Sequence, residues 1–257
     1  MLAAVSARET IIVYHAIGPS PPGAEHDALY VDVEELERQL RFLARNRRVV
    51  GLEQLLAGHG ESGRPRVAIT FDDGFQSVLT EALPLLERYG FPSTVFLTTR
   101  WLGDGGEPAI GPSSLEELMS VEDVVELDRR GVELGSHGHT HADVGQLSAR
   151  SIEADLRESA NRLSELVGKR PRFVAWPYGR TSGAGIEAAE AAGFQAGFTT
   201  DVPSAGRYAI TRVPIYHADG RLLFAFKTSG RYVAVRRHTI VRSAYSALEP
   251  LVTRVRR

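Results

Sequence analysis

The most constraining feature of this 257-residue chain is a regular alternation of short apolar runs with amphipathic helical patterns. Runs such as residues 66–71 (RVAITF) have the length and β-branched content of buried strands. Residues 33–46 place Leu36, Leu40 and Leu43 on one face, which predicts a helix. Because this alternation is typical of parallel strands joined by helical crossovers, we expect an α/β protein.

About seven or eight such units follow one another, which favours a single (β/α) barrel of the TIM type, with seven or eight strands, over an open sheet. Hydrophobic residues make up 43% of the chain, enough for one sizeable core. The predicted strands cover residues 11–15, 66–71, 93–98 and 132–137 and the segments FVAWP and FQAGFTT. The predicted helices cover residues 33–46, 79–89, 121–131 and 148–168 and the segment IEAAEAAG.

Composition excludes several classes of protein. The formal net charge of −2 gives no reason to expect a nucleic-acid partner. The chain has no cysteine, so disulfides are excluded and any metal must bind to His, Asp or Glu. No window reaches the roughly 18 apolar residues of a membrane span. Arg8 and Glu9 interrupt the apolar start, which predicts no signal peptide and therefore a cytoplasmic location.

The chain divides into a barrel over residues 1–230 and a basic tail over residues 231–257. The tail carries seven arginines and one acidic residue, Glu249. A solvated helix is the expected structure, and a weak membrane-surface contact is the alternative.

The first chemical motif is TFDDG, residues 70–74, at the end of a predicted strand. In a barrel of parallel strands, the carboxyl ends of the strands form the mouth of the active site. Asp72 and Asp73 would crowd two negative charges there, an arrangement that a cation would relieve. A simple Asp–Gly turn is the other interpretation of this motif alone.

The second motif, SHGHTH, holds three of the eight histidines of the chain within five residues. If the segment turns, His137 and His141 share a face and His139 points away; if it is extended, all three point the same way. Two imidazoles and one carboxylate suit zinc and other divalent metals, with positions left for water and substrate.

The third motif is FVAWPYG, in which another strand ends in a turn. The glycine permits close backbone approach, and a free N–H group after the proline could face a developing oxyanion. On its own, the motif is better explained as a turn that ends a strand.

In this order and at this separation, the motifs resemble those of the polysaccharide deacetylases of the NodB-homology type, nearest the branch that deacetylates poly-N-acetylglucosamine. The segments VYH and ERQLRFLARN add to a resemblance that covers about residues 11–215. It implies a distorted (β/α) barrel and a hydrolase that removes N-acetyl groups from amino sugars or glycans. By motif position, the resemblance implies that Asp72 is the base and that Asp73, His137 and His141 are the metal ligands. It also implies that the backbone N–H group of Tyr178 donates to the oxyanion.

The chain also departs from the family pattern. Ala175 stands where the family has an arginine that orients the catalytic aspartate. The later motif with Asp and Trp is not recognisable, and the closing Leu-x-His motif is absent unless His217 replaces it. Arg212 in ITRVP is a candidate replacement for the lost arginine, and a structural or surface arginine is the other interpretation.

The predicted mechanism uses a divalent metal, with zinc as the first candidate, to activate water and polarise the amide carbonyl. Asp72 would accept the proton of the water. The departing amine needs an acid, for which His15 is the first candidate because it ends its own strand at the barrel mouth; His139 and His217 are alternatives. A buried structural histidine is the other interpretation of His15.

Two other functions stay open on the sequence alone. One is a metal hydrolase on the same barrel that cleaves a non-sugar amide or imide. The other is a catalytically impaired barrel that binds carbohydrate, a function favoured by Ala175 and by the missing late motifs.

Overall fold

The computed structural model describes residues 6, 8–20, 27–58, 63–103, 117–201 and 206–237. Strands and helices alternate along most of this part of the chain. The strands are β1 (Glu9–Tyr14), β2 (Ala16–Ile17), β3 (Tyr30–Val31), β4 (Arg48–Val49), β5 (Arg66–Phe71), β6 (Ser93–Leu97), β7 (Glu133–Ser136), β8 (Phe173–Ala175), β9 (Ala196–Thr199), β10 (Ile210–Thr211) and β11 (Val213–Pro214). The helices are α1 (Val33–Asn46), α2 (Leu52–Leu56), α3 (Leu83–Tyr89), α4 (Val121–Arg129), α5 (Ala149–Val167), α6 (Gly183–Ala191), α7 (Arg221–Lys227) and α8 (Arg231–Arg237).

The main sheet is parallel throughout, in the order β10-β9-β8-β7-β6-β5-β1-β11, with β4 beside the start of β5. Only Arg212 separates β10 from β11, yet β10 pairs with β9 and β11 pairs with β1. Residues 210–214 therefore connect the two edges of the sheet, which is nearly closed into a barrel. β2 and β3 form a separate two-stranded sheet.

The barrel interior is filled by apolar side chains that point inward from the strands. They include Ile11, Ala68, Phe96, Phe173, Ala175, Ala196 and Phe198. The leucines of α2 belong to the same cluster. Arg66, the first residue of β5, donates hydrogen bonds to the carbonyl groups of Gln54 and Leu55, which places α2 where the strands begin. That end of the barrel is closed by apolar packing, and polar residues collect at the opposite end.

Two further apolar clusters lie between the sheet and the surrounding helices. The larger joins α1, α3 and α4 to β1, β5 and β6, and the smaller joins α5 and α6 to β8. The smaller cluster contains Trp176, which is fully buried and donates its indole N–H to the carbonyl of Tyr208 at 2.8 Å.

The predicted and observed elements agree best where a periodic pattern is long. The helix predicted over residues 33–46 has those bounds, and the helix predicted over residues 79–89 is a π-helical turn, Val78–Ala82, that continues into α3. The sequence patterns do not predict α2, α7 or β2 to β4, because two to seven residues are too few to show a period.

Only the first turns of the basic tail are described, as α8. The tail beyond residue 237 lies outside the described residues, so its helical structure, the domain boundary at residue 230 and the cytoplasmic location stay predictions. The membrane-surface contact finds no support in α8, where Tyr232 packs into the larger outer cluster. No helix in the described ranges is long and apolar enough to cross a membrane.

Gly135 is a test of how tightly the barrel interior is packed. It faces Phe96 across the β6–β7 pairing, and a Cβ at this position would overlap the Phe96 ring and lie 3.3 Å from the carbonyl oxygen of Phe173. We expect Gly135→Ala to lower the free energy of unfolding by about 1–3 kcal/mol, as overpacked cores do. Denaturant titration measures this change.

The matched control is Gly183→Ala at the start of α6, where an added Cβ meets no atom within 4 Å. Because alanine favours helix more than glycine does, this control should be neutral or slightly stabilising. Equal stability of the two variants would contradict the tight packing inferred for Gly135.

Candidate active site

Polar side chains follow four of the parallel strands and also lie between β10 and β11. Because the strands are parallel, these positions meet at one end of the barrel. The predicted residues that the fold places there are His15, Asp72, Asp73, His137, His141, Tyr178 and Arg212.

Asp73, His137 and His141 form a compact group of possible metal ligands. One ligand atom from each lies within 4.8 Å of the others, and all three side chains are buried. Oδ1 of Asp73 is 3.3 Å from Nε2 of His137 and 3.3 Å from Nε2 of His141, and it has no hydrogen-bond partner among the described residues. Three donor atoms therefore converge on one buried point.

The two imidazoles are oriented in different ways. Nδ1 of His137 donates to the carbonyl of Ala175 at 2.8 Å, which leaves Nε2, 3.3 Å from Oδ1 of Asp73, as the nitrogen available to a metal. The ring of His141 packs against the rings of Trp101 and Tyr178, each with its centroid 4.9 Å away. One ligand is thus held by a hydrogen bond and the other by aromatic contacts.

The charges in this group favour an ionised carboxylate. Burial raises the pKa of Asp73, but His137 and His141 lower it more, so this pKa is well below its usual range. Burial lowers the pKa of His137, but Asp72 and Asp73 raise it more. A cation bound here would compete with a proton for His137, so its binding should weaken as the pH falls.

The backbone at the site is unusual. Among the described residues, three that are not glycine have left-handed φ angles, and all three belong to this site: Asp73 (74°), His141 (56°) and Tyr178 (58°). A left-handed conformation costs such a residue on the order of 1 kcal/mol or more. Because these conformations persist only where surrounding contacts hold them, tertiary structure sets the geometry of the site.

The turn that carries Tyr178 shows such contacts. The carbonyl of Gly179 accepts hydrogen bonds from the N–H groups of Thr200 at 3.2 Å and Asp201 at 3.3 Å, and from the hydroxyl of Thr199. The Tyr178 side chain is 53% exposed beside His141, so it forms part of the mouth of the site.

Asp72 is held by Arg212 in a fully buried, two-pronged ion pair. Nη1 and Nη2 of Arg212 each lie 2.6 Å from a different carboxylate oxygen of Asp72, and Nη1 also donates to the hydroxyl of Thr70 at 3.2 Å. The guanidinium lies 5.1 Å from the centroid of the Phe96 ring. Burial raises the pKa of Asp72, but Arg212 and His137 lower it more, so Asp72 is ionised at neutral pH.

His15 follows β1 and faces the same group of charges. Its Nδ1 is buried and has no hydrogen-bond partner among the described residues. Burial lowers the pKa of His15, and the negative charges of Asp73 and Asp72 oppose this effect without cancelling it. The imidazole is therefore neutral at pH 7 in the free protein.

Two predicted accessory histidines are not in the buried group. Residues 137–141 turn, and Nδ1 of His139 lies 3.0 Å from the hydroxyl of Thr99 instead of joining the three ligands. The His217 side chain is 56% exposed, with Nδ1 3.7 Å from a carboxylate oxygen of Asp32.

Three contacting residues were not predicted from the sequence: Thr99, Trp101 and Asp155. Thr99 and Trp101 follow β6, so their place after a strand was an available signal. Asp155 lies within α5, and its contact with the histidine turn depends on helix packing that no periodicity reveals.

The ion pair leads to a stability prediction. Arg212→Met leaves the Asp72 carboxylate buried without its guanidinium partner, so we expect the metal-free protein to lose about 3–5 kcal/mol of unfolding free energy at pH 7. Loss of the guanidinium raises the pKa of Asp72 in the folded state above its unfolded value. The stability of the variant should therefore decline as the pH rises through that pKa, and its deficit should shrink in acid.

Denaturant titration at pH 7 and pH 5 measures the deficit. Adding Asp72→Asn to Arg212→Met should recover part of it, because the unpaired charge is removed. Arg129→Met, at an exposed pair with Glu126, is the control and should change little. A deficit that is independent of pH and unchanged by Asp72→Asn would contradict the buried pair as its source.

Three of the sequence motifs lie within a match to a known protein family. A model of the polysaccharide deacetylase family matches residues 59–197, which span the TFDDG, HGHTH and WPYG motifs. The Bacillus subtilis (strain 168) protein YxkH is 24% identical over 221 residues, which cover 81% of this chain and 72% of YxkH. The poly-β-1,6-N-acetyl-D-glucosamine N-deacetylase of Staphylococcus epidermidis is 27% identical over 198 residues, 70% of this chain and 66% of that protein.

The fold is similar to that of the Streptococcus pyogenes deacetylase PplD in complex with acetate, with a TM-score of 0.73 and 19% identity over 89% of this chain and 99% of that one. This likeness confirms the predicted barrel. An N-deacetylase cleaves a carbon–nitrogen bond, so the matches confirm the prediction of a hydrolase of that class. Because the family model matches more than half of the length of this chain, the chain belongs to the polysaccharide deacetylase family.

Proposed function

We propose that the protein removes N-acetyl groups from N-acetylated amino sugars or glycans by metal-dependent hydrolysis, with Asp72 as the base. The observation that carries this proposal is the buried group of Asp73, His137 and His141 beside an aspartate that Arg212 keeps ionised. The relative from Staphylococcus epidermidis is named for poly-β-1,6-N-acetyl-D-glucosamine, so oligomers of that sugar are the first substrates to test.

The residues fit a divalent metal. Two imidazole nitrogens and one carboxylate oxygen are a donor set that suits zinc, and Oδ1 of Asp73 is buried with no other partner among the described residues. The hydrogen bond from His137 to Ala175 is the kind of outer contact that fixes the tautomer of a metal-binding histidine. A bound metal would supply Lewis-acid polarisation of the acetyl carbonyl and a lower pKa for water.

Asp72 is suited to accept a proton from the attacking water. Its carboxylate is ionised, and Arg212 fixes the orientation of both oxygens. The guanidinium of Arg212 orients Asp72, which in the family pattern is the role of an arginine at the position of Ala175. This contact favours an active hydrolase over the catalytically impaired barrel.

Tyr178 and His15 complete the proposed machinery. The backbone N–H of Tyr178, presented by a left-handed turn at the mouth, would donate to the oxyanion as the carbonyl is attacked. His15 would protonate the departing amine. Because its pKa is lowered, His15 would have to take up a proton within the reaction cycle before it donates one.

A direct test of the function is acetate release. The protein supplied with Zn²⁺ should release acetate from N-acetylglucosamine oligomers and leave free amines. Release from cyclic amides or imides but from no acetylated sugar would replace this proposal with the non-sugar hydrolase.

The roles of ligand and base should separate by mutation. We expect His137→Ala and Asp73→Ala to lose both bound metal and activity, because each removes a ligand. Asp72→Asn should keep the metal and lose activity, because it removes a proton acceptor. His139→Gln is the control and should keep metal near the wild-type level, since His139 faces Thr99.

Metal analysis of the purified variants, together with acetate release, measures these outcomes. Full activity of Asp72→Asn would eliminate it as the base. Full metal content in His137→Ala would eliminate the proposed metal site.

The residue that protonates the amine can be identified by comparing substrates with different leaving groups. We expect His15→Ala to keep metal and fold and to cut turnover of the acetamide by roughly 100-fold or more, as loss of a positioned acid does. An acetate ester with a good leaving group needs no such proton, so its hydrolysis should suffer far less.

Rates for both substrates, measured on one metal-loaded preparation, give the comparison. An equal loss on both would make His15 a ligand or a structural residue. No loss on either would place the acid elsewhere, with His217 as the next residue to test.

A further inference from the structure

The carboxylate of Asp155 lies against the turn that separates His137 from His141. Its Oδ2 accepts the backbone N–H of His139 at 2.8 Å, and its Oδ1 accepts the backbone N–H of Thr140 at 2.9 Å and the hydroxyl of Thr140 at 2.6 Å. One side chain of α5 therefore binds three donors from the two residues that precede His141.

The turn is shaped to admit this carboxylate. Gly138 has a φ of +79°, and a Cβ on it would lie 2.8 Å from Oδ2 of Asp155. Immediately after the bound residues, His141 has its left-handed φ of 56°. The acceptors of Asp155 thus hold the backbone where it enters a conformation that it would not adopt alone.

A second contact from α5 holds the other end of the turn. The hydroxyl oxygens of Ser159, one helical turn after Asp155, and of Ser136 are 2.7 Å apart. The hydroxyl of Ser136 also accepts the N–H of Gly138 at 3.1 Å. Ser136 directly precedes His137, so α5 supports the chain on the approach to both histidines.

We propose that Asp155 is a positioning residue: it holds the turn between His137 and His141 in the conformation that places His141 for metal binding. This inference rests on the proposed metal site. Asp155 is not one of the three grouped ligands; it acts through the backbone of residues 139–140. Because Asp155 lies on a packed helix, it fixes the turn of residues 137–141 relative to α5.

The test measures metal affinity in place of activity. Metal-free wild-type protein, Asp155→Ala and Asp155→Asn are titrated with Co²⁺ against a chromogenic chelator, and the Co²⁺ absorption bands report the ligand geometry. Asp155→Asn has the same shape but keeps only one acceptor oxygen, so it remains informative if the alanine variant fails to fold. Glu158→Gln removes the same charge from an exposed position on α5 and is the matched control.

We expect affinity for Co²⁺ to fall by roughly 10-fold or more in Asp155→Ala and by less in Asp155→Asn, with altered absorption bands, as losses of outer contacts do. Glu158→Gln should bind as the wild type does. Thermal unfolding of the metal-free proteins distinguishes this role from a purely structural one. A lower melting temperature with unchanged Co²⁺ affinity and spectrum in the folded variants would overturn the inference.

The outcomes separate this inference from the function on which it rests. Tight Co²⁺ binding by wild type and by both Asp155 variants removes the positioning role and leaves the metal site in place. Failure of the wild type to bind Co²⁺ removes the metal site, and the positioning role with it.

Discussion

The buried pair of Arg212 and Asp72 is the interaction on which the rest of the site depends. Arg212 lies between β10 and β11, so the segment that nearly closes the barrel also carries a guanidinium into its interior. A buried arginine or aspartate without its partner is costly, whereas two hydrogen bonds in a fork compensate both charges. Closure of the sheet and ionisation of the proposed base therefore support each other.

Around this pair, contacts with neighbouring elements hold the site residues in backbone conformations that they would not adopt on their own. The left-handed residues Asp73, His141 and Tyr178 come from three different turns, each following a different strand. The carbonyl of Gly179 and the carboxylate of Asp155 each collect several hydrogen bonds at such a turn. Rigid support of this kind is what a preorganised site requires, because its groups do not have to rearrange during the reaction.

The sequence predicts the structure best where the signal is local. The helix of residues 33–46 has the predicted bounds because fourteen residues show a clear period. It was less decisive for the histidines, because a turn and an extended segment place His139 on different sides. From the sequence alone, Arg212 could replace the arginine lost at Ala175 or be a structural or surface residue. It is 140 residues from Asp72 in the chain, so their contact is visible only in the closed barrel.

By itself, the sequence determined the order of the longer strands and helices, the barrel class and the motifs that supply the proposed ligands and base. These follow from the periods of apolar residues and from chemical groups placed after strands, and both are local properties. Only the tertiary structure decided that Arg212 faces Asp72, that His139 faces Thr99 and that Asp155 holds the histidine turn. Each of these contacts joins side chains from separate elements, so it exists only once the strands have paired and the helices have packed around them.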